Sequence, residues 1–464
     1  MAIMFRNSYT RKKEEFHPIE PGKVKIYTCG PTVYNYQHIG NFRTFIWGDL
    51  LRRYLEYKSY DVTYVMNITD IDDKIIRDSQ ANNIPREKFT EKYIKAFFDD
   101  LDTLGLKRAD IYPYATKHID DMVALVKVLH DKGIAYEVNG NYYYRIAAFP
   151  DYGKLAKLDM DGLKPGARVA SDEYEKDSVS DFALWKAWQP SDGDIYWETE
   201  IGKGRPGWHL ECSVMSMKYL GETFDIHTGG VDLMFPHHEN EIAQSEGATG
   251  KKFVNYWLHG EHLIVEGKKM SKSLGNFYTL RDIIEKGYSG LVVRYLLMAT
   301  HYRQQLNFTF QGLDAARNAL ERYNDFIVNL ENFSGGQSNG TALGILEKTK
   351  TAFEDALDDD LNISAALAVI FDFIRDINRL KADNNLSEDE KIKALETIRK
   401  FDTVLNFTYK AETIDEEVEN LIKQRTEAKK NKDFATADKI RDDLLAQGII
   451  LEDTPQGVRW KRKA

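Results

Sequence analysis

The first hundred residues alternate between short apolar runs and one amphipathic segment. The run KVKIYTC, from Lys23 to Cys29, alternates apolar and polar positions and predicts a strand, which a Gly-Pro pair ends. From Asn41 apolar residues recur every three or four positions and predict a helix, and Val62–Met66 predicts a second strand. Strand, turn, helix and strand in this order are typical of a parallel α/β sheet, which binds ligands beyond the carboxyl ends of its strands. The turn between Cys29 and Asn41 is therefore the first candidate for a functional site.

The rest of the chain divides by pattern into an insertion, a return to the sheet domain, a helical region and a terminal unit. Residues 115–203 are mixed, with a hairpin predicted at NGNYYYRI, and long amphipathic helices dominate after residue 310. The polar stretch 334–340 predicts a loop between two helices, and the last fifty residues predict two helices and a hairpin. The predicted units are a sheet domain of 1–114 and 204–310, an insertion 115–203, a helical bundle 311–410 and a C-terminal module 411–464.

Composition places the chain among multidomain globular proteins. Its 464 residues, at roughly 150 per domain, suggest two to four domains, and 42% hydrophobic with 29% charged residues excludes a disordered chain. The formal charge of −10 argues against a purely electrostatic nucleic-acid binder, although an acidic total is compatible with a local basic patch. Two cysteines exclude a disulfide scaffold and fit a reducing cytosol. Because the chain has neither an apolar run long enough for a bilayer nor a signal-peptide pattern at its start, we expect a cytoplasmic protein with no membrane partner.

The sequence HIGN places His38, Gly40 and Asn41 where the predicted helix begins. A helix N-terminus presents unpaired N–H groups and the positive end of the helix dipole, which suits a phosphate. Gly40 allows close approach of the backbone, and the side chains of His38 and Asn41 donate hydrogen bonds. Four residues alone are a weak signal, and a polar surface turn with one histidine is the alternative that an isolated match favours.

A second segment, KMSKS, places Lys269 and Lys272 with two serines in a loop followed by glycine. Such a loop neutralises and hydrogen-bonds a polyphosphate, or it is an ordinary solvated basic turn. In this order and about 230 residues apart, HIGN and KMSKS are similar to the paired signatures of class I aminoacyl-tRNA synthetases. Because two spaced motifs that share one mechanism rarely coincide, the pair favours phosphate chemistry.

The two thiols of the chain, Cys29 and Cys212, are candidates for a metal site. In FPHHENE, a helix that begins at the proline puts a histidine on the same face as Glu241. His237 is four residues from Glu241 and His238 is three, so spacing does not choose between them. Two thiolates, an imidazole and a carboxylate suit zinc. The 183 residues that separate the cysteines make this a non-local site that spacing cannot prove, and small buried apolar side chains are the alternative for both thiols.

The motifs that flank these residues are more specific. TCGPTVYNYQHIGN, NITDIDDKI, GRPGWHLECS, GGVDLMFPHHENEIAQ, KKMSKSLGNF and HYRQQLNF together resemble the cysteinyl-tRNA synthetase family, and the resemblance covers essentially the whole chain. It implies an α/β enzyme with a Rossmann-like parallel-sheet catalytic domain, a connective insertion, an α-helical bundle and a small anticodon-binding module at 411–464. The sequence has Asn41 where the fuller class I motif has histidine, a difference that the family often shows and that keeps a hydrogen-bond donor.

The resemblance also implies ligands, partners and residue roles. It implies a ligase that uses ATP with Mg²⁺, L-cysteine and tRNA(Cys), with one zinc ion per chain; we further expect a monomer. The implied zinc ligands are Cys29, Cys212, His237 and Glu241; the implied phosphate contacts are His38, Gly40, Asn41, Lys269 and Lys272; Thr69, Trp208 and His227 surround the amino acid, and Asp232 contacts the ribose. Core packing remains the alternative for Trp208, and a structural turn remains the alternative for Asp232.

Zinc gives such an enzyme a way to accept cysteine and reject serine. A pocket that reads shape alone separates near-isosteric ligands by a factor of roughly ten to a few hundred, whereas zinc binds a soft thiolate and neglects an alcohol. No editing domain is then needed, so the insertion is expected to be structural or to contact the acceptor end of the RNA.

The C-terminal segment bears on the choice between this function and its rivals. Lys423 to Ala464 carries a net charge of +4 together with Phe434 and Trp460, which suits an RNA loop, and an ordinary solvated helical hairpin is the alternative. One rival is an ATP-dependent ligase that passes cysteine to an amino sugar and lacks this module. The other is a non-catalytic RNA-binding paralogue, which predicts eroded phosphate motifs.

Overall fold

The computed structural model describes residues 2–157, 181–409, 416–446, 449–454 and 457–462. Residues 158–180 of the expected insertion and 410–415 of the expected bundle and C-terminal module lie outside the described residues.

The strands of the described residues are numbered here in chain order. They are β1 Met4–Asn7, β2 Lys12–Glu15, β3 Lys23–Thr28, β4 Asp61–Met66, β5 Ala135–Val138, β6 Asn141–Tyr144, β7 Phe182–Ala187, β8 Trp197–Thr199, β9 Gly202–Pro206, β10 Phe224–Gly230, β11 Val254–Gly260, β12 Leu263–Val265, β13 Lys268–Lys269, β14 Leu306–Phe308, β15 Ile449–Thr454 and β16 Gly457–Arg462.

The α-helices of the same residues are numbered likewise. They are α1 Ile39–Tyr57, α2 Asp73–Ala81, α3 Arg86–Thr103, α4 Ile119–Asp131, α5 Trp208–Leu220, α6 Glu239–Thr249, α7 Leu280–Glu285, α8 Gly290–Ala299, α9 Phe310–Glu331, α10 Thr341–Asp358, α11 Ile363–Ala382, α12 Glu388–Leu405, α13 Glu416–Lys430 and α14 Phe434–Ala446.

A four-stranded parallel sheet, in the order β11-β10-β3-β4, organises the N-terminal part of the molecule. β3 and β4 are joined through α1, and they pair from Lys23 opposite Asp61 to Thr28 opposite Met66. The chain returns much later to place β10 on the other side of β3. The strand order therefore reverses beside the carboxyl end of β3, where α/β sheets bind ligands. The α/β fold with a parallel sheet is as predicted from the sequence.

Helix α1 joins the sheet to the helical bundle. It packs against β4 and β10 on one side and against α8 and α12 on the other, so that it is buried along most of its length. Asp49, near its middle, accepts hydrogen bonds from Arg53 Nε and from an Arg294 Nη, each at 2.7 Å. The same Arg294 donates to the carbonyl of Leu405 at the end of α12 over 2.9 Å. One apolar core contains residues of the sheet, α1 and the bundle.

The remaining elements agree with the sequence patterns. The hairpin expected at NGNYYYRI is β5 and β6, part of a five-stranded antiparallel sheet in the order β5-β6-β7-β9-β8. The expected C-terminal hairpin is β15 paired antiparallel with β16, after α13 and α14. Residues 334–340 connect α9 to α10 without helix or strand. Among the described residues, no helix is both long enough and apolar enough to cross a membrane.

Candidate active site and metal centre

Side chains from several elements meet at the carboxyl edge of the parallel sheet. Cys29 follows β3 directly, Thr69 lies three residues beyond β4, and His227 lies within β10. Cys212 reaches the same place from α5, and Glu241 reaches it from the first turn of α6. The distant residues of the sequence thus converge because parallel strands all end at this edge.

Four of the converging side chains have donor atoms within reach of one ion. Cys29 Sγ lies 3.8 Å from Cys212 Sγ, and His237 Nε2 lies 3.0 Å from Glu241 Oε1. The donor atoms of all four side chains lie within 4.8 Å of one another, and all four residues are buried. This is the set that the family resemblance selects.

The helix expected to begin at Pro236 starts with a π-type turn before it becomes a regular α-helix. Phe235 has non-helical backbone angles, a short π-type turn covers Met234–His238, and α6 starts at Glu239. Helical backbone therefore resumes at Pro236, as the sequence predicts, and continues into α6. His238 already has helical backbone angles, so His237 and Glu241 still face each other.

The charges of this cluster are interdependent. Burial and the neighbouring thiol raise the pKa of Cys29, whereas for Cys212 burial is outweighed by the hydrogen bond to Cys29 and by His237, which lower its pKa to about 6. Burial lowers the pKa of His237, but Glu241 and Cys212 raise it to about 10. Burial also opposes the ionisation of Glu241, yet His227 and His237 lower its pKa to about 2. One thiolate and one carboxylate are therefore held as anions, which is the form in which they bind metals.

A second set of donors shares two members with the first. Cys29, His227, His238 and Glu241 also lie within 4.8 Å of one another. His227 Nε2 is 3.0 Å from Glu241 Oε2, and His238 Nε2 is 3.4 Å from Cys29 Sγ. His238 bonds through Nδ1 to His259 Nε2 at 2.7 Å. The geometry of the donor atoms, like the spacing in the sequence, therefore does not decide which histidine of FPHHENE would bind a metal together with the thiols.

The donor atoms of the first set fit a zinc ion. Two thiolates on one tetrahedral zinc, with Zn–S bonds of about 2.3 Å, lie about 3.8 Å apart. The two sulfur atoms of Cys29 and Cys212 have this separation. Two sulfur ligands with one imidazole and one carboxylate are also the donor types that zinc prefers.

Two aromatic residues at the start of α5 cover the first set. Trp208 stacks on His237 with ring centroids 4.2 Å apart, and it is 40% exposed, so core packing does not explain it. His209 Nδ1 lies 2.9 Å from His237 Nδ1 and so contacts the ring nitrogen that faces away from Glu241. The sequence analysis missed His209. Its position between Trp208 and Cys212 in GRPGWHLECS was the available signal, because a metal-binding histidine usually has a hydrogen-bond partner on its other ring nitrogen.

The HIGN segment caps α1. His38 Nδ1 accepts a hydrogen bond from the Asn41 N–H at 3.2 Å, and Asn41 Oδ1 accepts one from the His38 N–H at 3.1 Å. Burial lowers the pKa of His38 to about 4, against the opposing effect of Asp232. A Cβ on Gly40 would lie 2.9 Å from the His38 ring, so the close approach needs glycine there.

The HIGN segment lies against the chain that follows KMSKS, and the end of the Met270 side chain comes within 3.5 Å of the Cβ position of Gly40. Ile39 N–H donates to the carbonyl of Tyr278 at 3.0 Å, and the ring of His38 packs edge-on against Phe277 at 5.2 Å. Lys269 is exposed on β13, and its carbonyl accepts a hydrogen bond from Asn276. The side chain of Lys272 lies outside the described residues, although its backbone forms a short 3-10 turn. Asp232 is exposed, and its carboxylate lies close enough to His38 to raise the pKa of that histidine.

Thr69 lies in a chain of hydrogen bonds that the sequence did not predict. Its hydroxyl donates to Glu211 Oε2 at 2.8 Å and accepts from Asn67 Nδ2 at 3.1 Å. Asn67 lies in NITD and Glu211 in GWHLEC, two segments of the motifs that carry the family resemblance. Membership in these motifs was the only indication in the sequence that the two residues belong to the site.

The basic C-terminal segment is described in part. Phe434, at the start of α14, is 62% exposed, as a base-stacking role requires. The side chain of Trp460 lies outside the described residues.

Known families and relatives match this chain along almost its whole length. The model of the class I (C) catalytic domain of tRNA synthetases matches residues 15–318, the DALR domain matches 352–409, and the cysteinyl-tRNA ligase anticodon binding domain matches 411–460. A cysteine–tRNA ligase of Brachyspira hyodysenteriae is 51% identical and covers 99% of both chains. The chain belongs to the cysteinyl-tRNA synthetase family. The Protochlamydia amoebophila cysteine–tRNA ligase is also 51% identical, over 100% of this chain and 98% of its own.

More distant structures share the fold of this family member. A methionyl-tRNA synthetase of Mycobacterium tuberculosis in complex with methionyl-adenylate has a TM-score of 0.60 at 15% identity, over 83% of this chain and 90% of that one. A ternary complex of an Agrobacterium radiobacter LeuRS with tRNA also has a TM-score of 0.60, at 12% identity, over 84% and 85% of the two chains. At these identities the likeness concerns the class I fold alone.

Proposed function

We propose that this member of the family activates L-cysteine with ATP and transfers it to the 3′ end of tRNA(Cys). In the first step a carboxylate oxygen of cysteine attacks the α-phosphorus of ATP, and the bond from that phosphorus to the pyrophosphate breaks. The products are cysteinyl-adenylate and pyrophosphate. In the second step a ribose hydroxyl of the terminal adenosine attacks the activated carbonyl, and AMP leaves. The arrangement that carries this proposal is the location of HIGN, at the start of α1, and of the Cys29–Cys212 cluster at the same carboxyl edge of the parallel sheet.

The phosphate chemistry falls to the HIGN and KMSKS segments. Negative charge grows on phosphate oxygens during the first step, so the enzyme contributes by position and by electrostatics. His38, Gly40 and Asn41 at the α1 N-terminus are assigned to the α-phosphate, where the helix dipole adds to their hydrogen bonds. Lys269 and Lys272 are assigned to the leaving pyrophosphate, and Mg²⁺ accompanies ATP as counter-charge. Asp232 is assigned to a ribose hydroxyl.

The metal centre selects cysteine as the substrate. Cys29, Cys212, His237 and Glu241 would hold one zinc ion, with their donor atoms within 4.8 Å of one another. When bound, zinc supplies a Lewis acid that holds the substrate thiolate and neglects the serine hydroxyl. The amino-acid pocket is assigned to Thr69, Trp208 and His227. Trp208 fits the wall of an open pocket, since it is partly exposed and stacks on His237.

The remaining assignments concern organisation and partners. Residues 1–114 and 204–310 form the catalytic domain, 115–203 a connective insertion without editing chemistry, 311–410 the helical bundle and 411–464 the anticodon-binding module. The protein acts as a cytoplasmic monomer.

Two assays test the two steps separately. ATP–pyrophosphate exchange should depend on L-cysteine, and charging of tRNA(Cys) should follow in the same preparation. Cysteine-dependent exchange without charging of any tRNA would refute the assignment of tRNA and would indicate that cysteine is transferred to another acceptor. An absence of cysteine-dependent exchange in the zinc-loaded protein would refute the proposed function as a whole.

Lys272→Ala tests the phosphate assignment. We expect a large loss in the rate of adenylate formation with little change in cysteine affinity, because the lysine interacts with charge that develops in the transition state. An equal loss in both quantities would contradict that role. Cysteine affinity measured by calorimetry without ATP separates the two.

A further inference from the structure

Glu211 is a deeply buried carboxylate without a cation. It is 1% exposed on α5, one residue before Cys212. Its Oε2 accepts a hydrogen bond from Thr69 Oγ1, and among the described residues no lysine, arginine or histidine forms an ion pair with it. The absence of a cation is unusual for a buried carboxyl group, because an uncompensated buried charge is costly. Burial and the neighbouring Cys212 accordingly raise the pKa of Glu211 well above its usual range, and an arriving cation would favour the ionised form.

Comparable buried carboxylates of this protein are well compensated. Asp49 accepts from two guanidinium groups and a main-chain N–H. Asp225 accepts from the main-chain N–H groups of two residues, and Glu239 does the same. Glu211 has one hydroxyl donor, and its Oε1 has no donor among the described residues. The contrast suggests that a donor arrives with a ligand.

The position of Glu211 in the first turn of α5 does not explain it. Acidic side chains there stabilise a helix when they bond its free N–H groups or face its dipole. Glu211 makes no such hydrogen bond, and Gly207 caps the helix without a side chain. The carboxylate bonds to Thr69 instead.

The direction of each hydrogen bond around Thr69 follows from one main-chain group. The Gly30 N–H donates to Asn67 Oδ1 at 2.8 Å, which orients the Asn67 amide and makes its Nδ2 the donor to Thr69. Thr69 must then donate its proton to Glu211. Its oxygen keeps one lone pair free, so that Thr69 Oγ1 can accept a second hydrogen bond in addition to the one from Asn67. Oε1 of ionised Glu211, which has no donor among the described residues, can accept another.

These acceptors lie near the site assigned to the substrate thiol. The Asn67 amide that bonds to Thr69 also lies 3.8 Å from Cys212 Sγ through its oxygen. In free cysteine the sulfur and the nitrogen are on the order of 3–4 Å apart in staggered rotamers. A cysteine whose sulfur lies beside Cys212 can therefore bring its α-ammonium group to Thr69.

We propose that Glu211, together with Thr69, forms the subsite that binds the α-ammonium group of the amino acid. The ammonium donates one proton to Thr69 Oγ1 and one to Glu211 Oε1, and its charge compensates the buried carboxylate. This inference rests on the proposed function, since it takes a zinc-held cysteine thiol as the other anchor. It divides recognition of the amino acid into a sulfur site and a nitrogen site.

Three ligands and one conservative variant test the subsite in the zinc-loaded protein. L-cysteine has a thiol, an amine and a carboxylate; cysteamine lacks the carboxylate, and 3-mercaptopropionate lacks the amine. Glu211→Gln keeps the size and the acceptor for Thr69 but removes the charge. We expect the dissociation constants of L-cysteine and cysteamine to rise about 10- to 100-fold, as for a lost charge-assisted hydrogen bond. That of 3-mercaptopropionate should change by less than about threefold.

Two further variants keep the test decisive. Asp225→Asn is the matched control, because Asp225, on β10 of the parallel sheet, is as buried as Glu211 but bonds to main-chain N–H groups. It should change none of the three constants selectively. If Glu211→Gln does not fold, Thr69→Val should show the same selective loss for the two amines, and Thr69→Ser should not. Zinc content is measured in every preparation.

The possible outcomes are distinct. Selective loss for the two amines supports the subsite, whereas equal loss for all three ligands, or no loss, overturns it. Failure of the proposed function is seen separately, since the unaltered protein would then bind neither L-cysteine nor 3-mercaptopropionate through its zinc.

Discussion

Arg294 is the side chain that most directly ties the helical bundle to the catalytic part of this protein. It is fully buried and donates to Asp49 of α1 at 2.7 Å and to the Leu405 carbonyl of α12 at 2.9 Å. Asp49 keeps a second partner, Arg53, whose guanidinium also reaches the Thr403 carbonyl near the end of α12. Arg294→Met removes the charge and the donors while keeping most of the volume.

The expected cost follows from what the substitution leaves behind. Breaking a buried ion pair by removing one partner costs about 3–5 kcal/mol, because the other charge stays buried. Since Arg53 and a main-chain N–H still compensate Asp49, we expect the loss of the ion pair to cost an amount at the lower end of this range. The Leu405 carbonyl, deprived of its donor, adds to it. We expect Arg294→Met to lower the free energy of unfolding by about 3 kcal/mol.

Urea unfolding followed by circular dichroism measures this change as a shift of the first cooperative transition. The matched control is Arg375→Met, which removes an arginine that is 66% exposed and paired with Asp372 and Asp376 on the same bundle. Its loss should cost less than about 1 kcal/mol. Comparable shifts for the two variants would refute the reasoning. Cysteine-dependent exchange by Arg294→Met should persist, with charging of tRNA more affected.

Three further predictions concern single side chains of the site and its surroundings. Gly40→Ala should reduce ATP–pyrophosphate exchange by about 100-fold, because the added methyl displaces the ring of His38; a small change would show that this ring is not needed in its place. His209→Phe should weaken zinc binding by about 10- to 100-fold in competition with a chelator, because His237 loses its hydrogen-bond partner; unchanged affinity would deny His209 an orienting role. Burial raises the pKa of Asp100 to about 6 against the effect of a nearby arginine. The wild type therefore loses stability between about pH 4 and pH 6 as this group ionises. The difference in unfolding midpoint between Asp100→Asn and wild type should increase over this range, and a constant difference would contradict the shifted pKa.

The sequence was most informative where local chemistry and the family motifs agreed. The strand at Lys23–Cys29, the helix that begins with HIGN and the return to Val62–Met66 follow from periodicity and turn residues, and the structure has them within two residues. The convergence of Cys29 with Cys212 could not follow from spacing, because it depends on β10 pairing with β3 across nearly two hundred residues.

The limits of the sequence prediction are physical. The positions of His237 and His238 beside the thiols depend on the path of one turn, where the non-helical backbone of Phe235 precedes the helix. The burial of Glu211 depends on the packing of α5 against the sheet. Periodicity does not reveal this packing, because apolar and polar residues are mixed on all sides of this helix. The orientation of Thr69 depends on a main-chain N–H of Gly30 that no motif specifies.

The most direct test of the central claim combines zinc analysis with exchange assays on wild type and Cys212→Ser. The account predicts about one zinc per wild-type chain and ATP–pyrophosphate exchange with L-cysteine that exceeds exchange with L-serine by far more than the few-hundred-fold that shape alone achieves. Cys212→Ser should lose the zinc and the cysteine-dependent exchange together. Full activity of a zinc-free chain, or comparable exchange with serine, would contradict the claim that a metal-held thiolate selects the substrate.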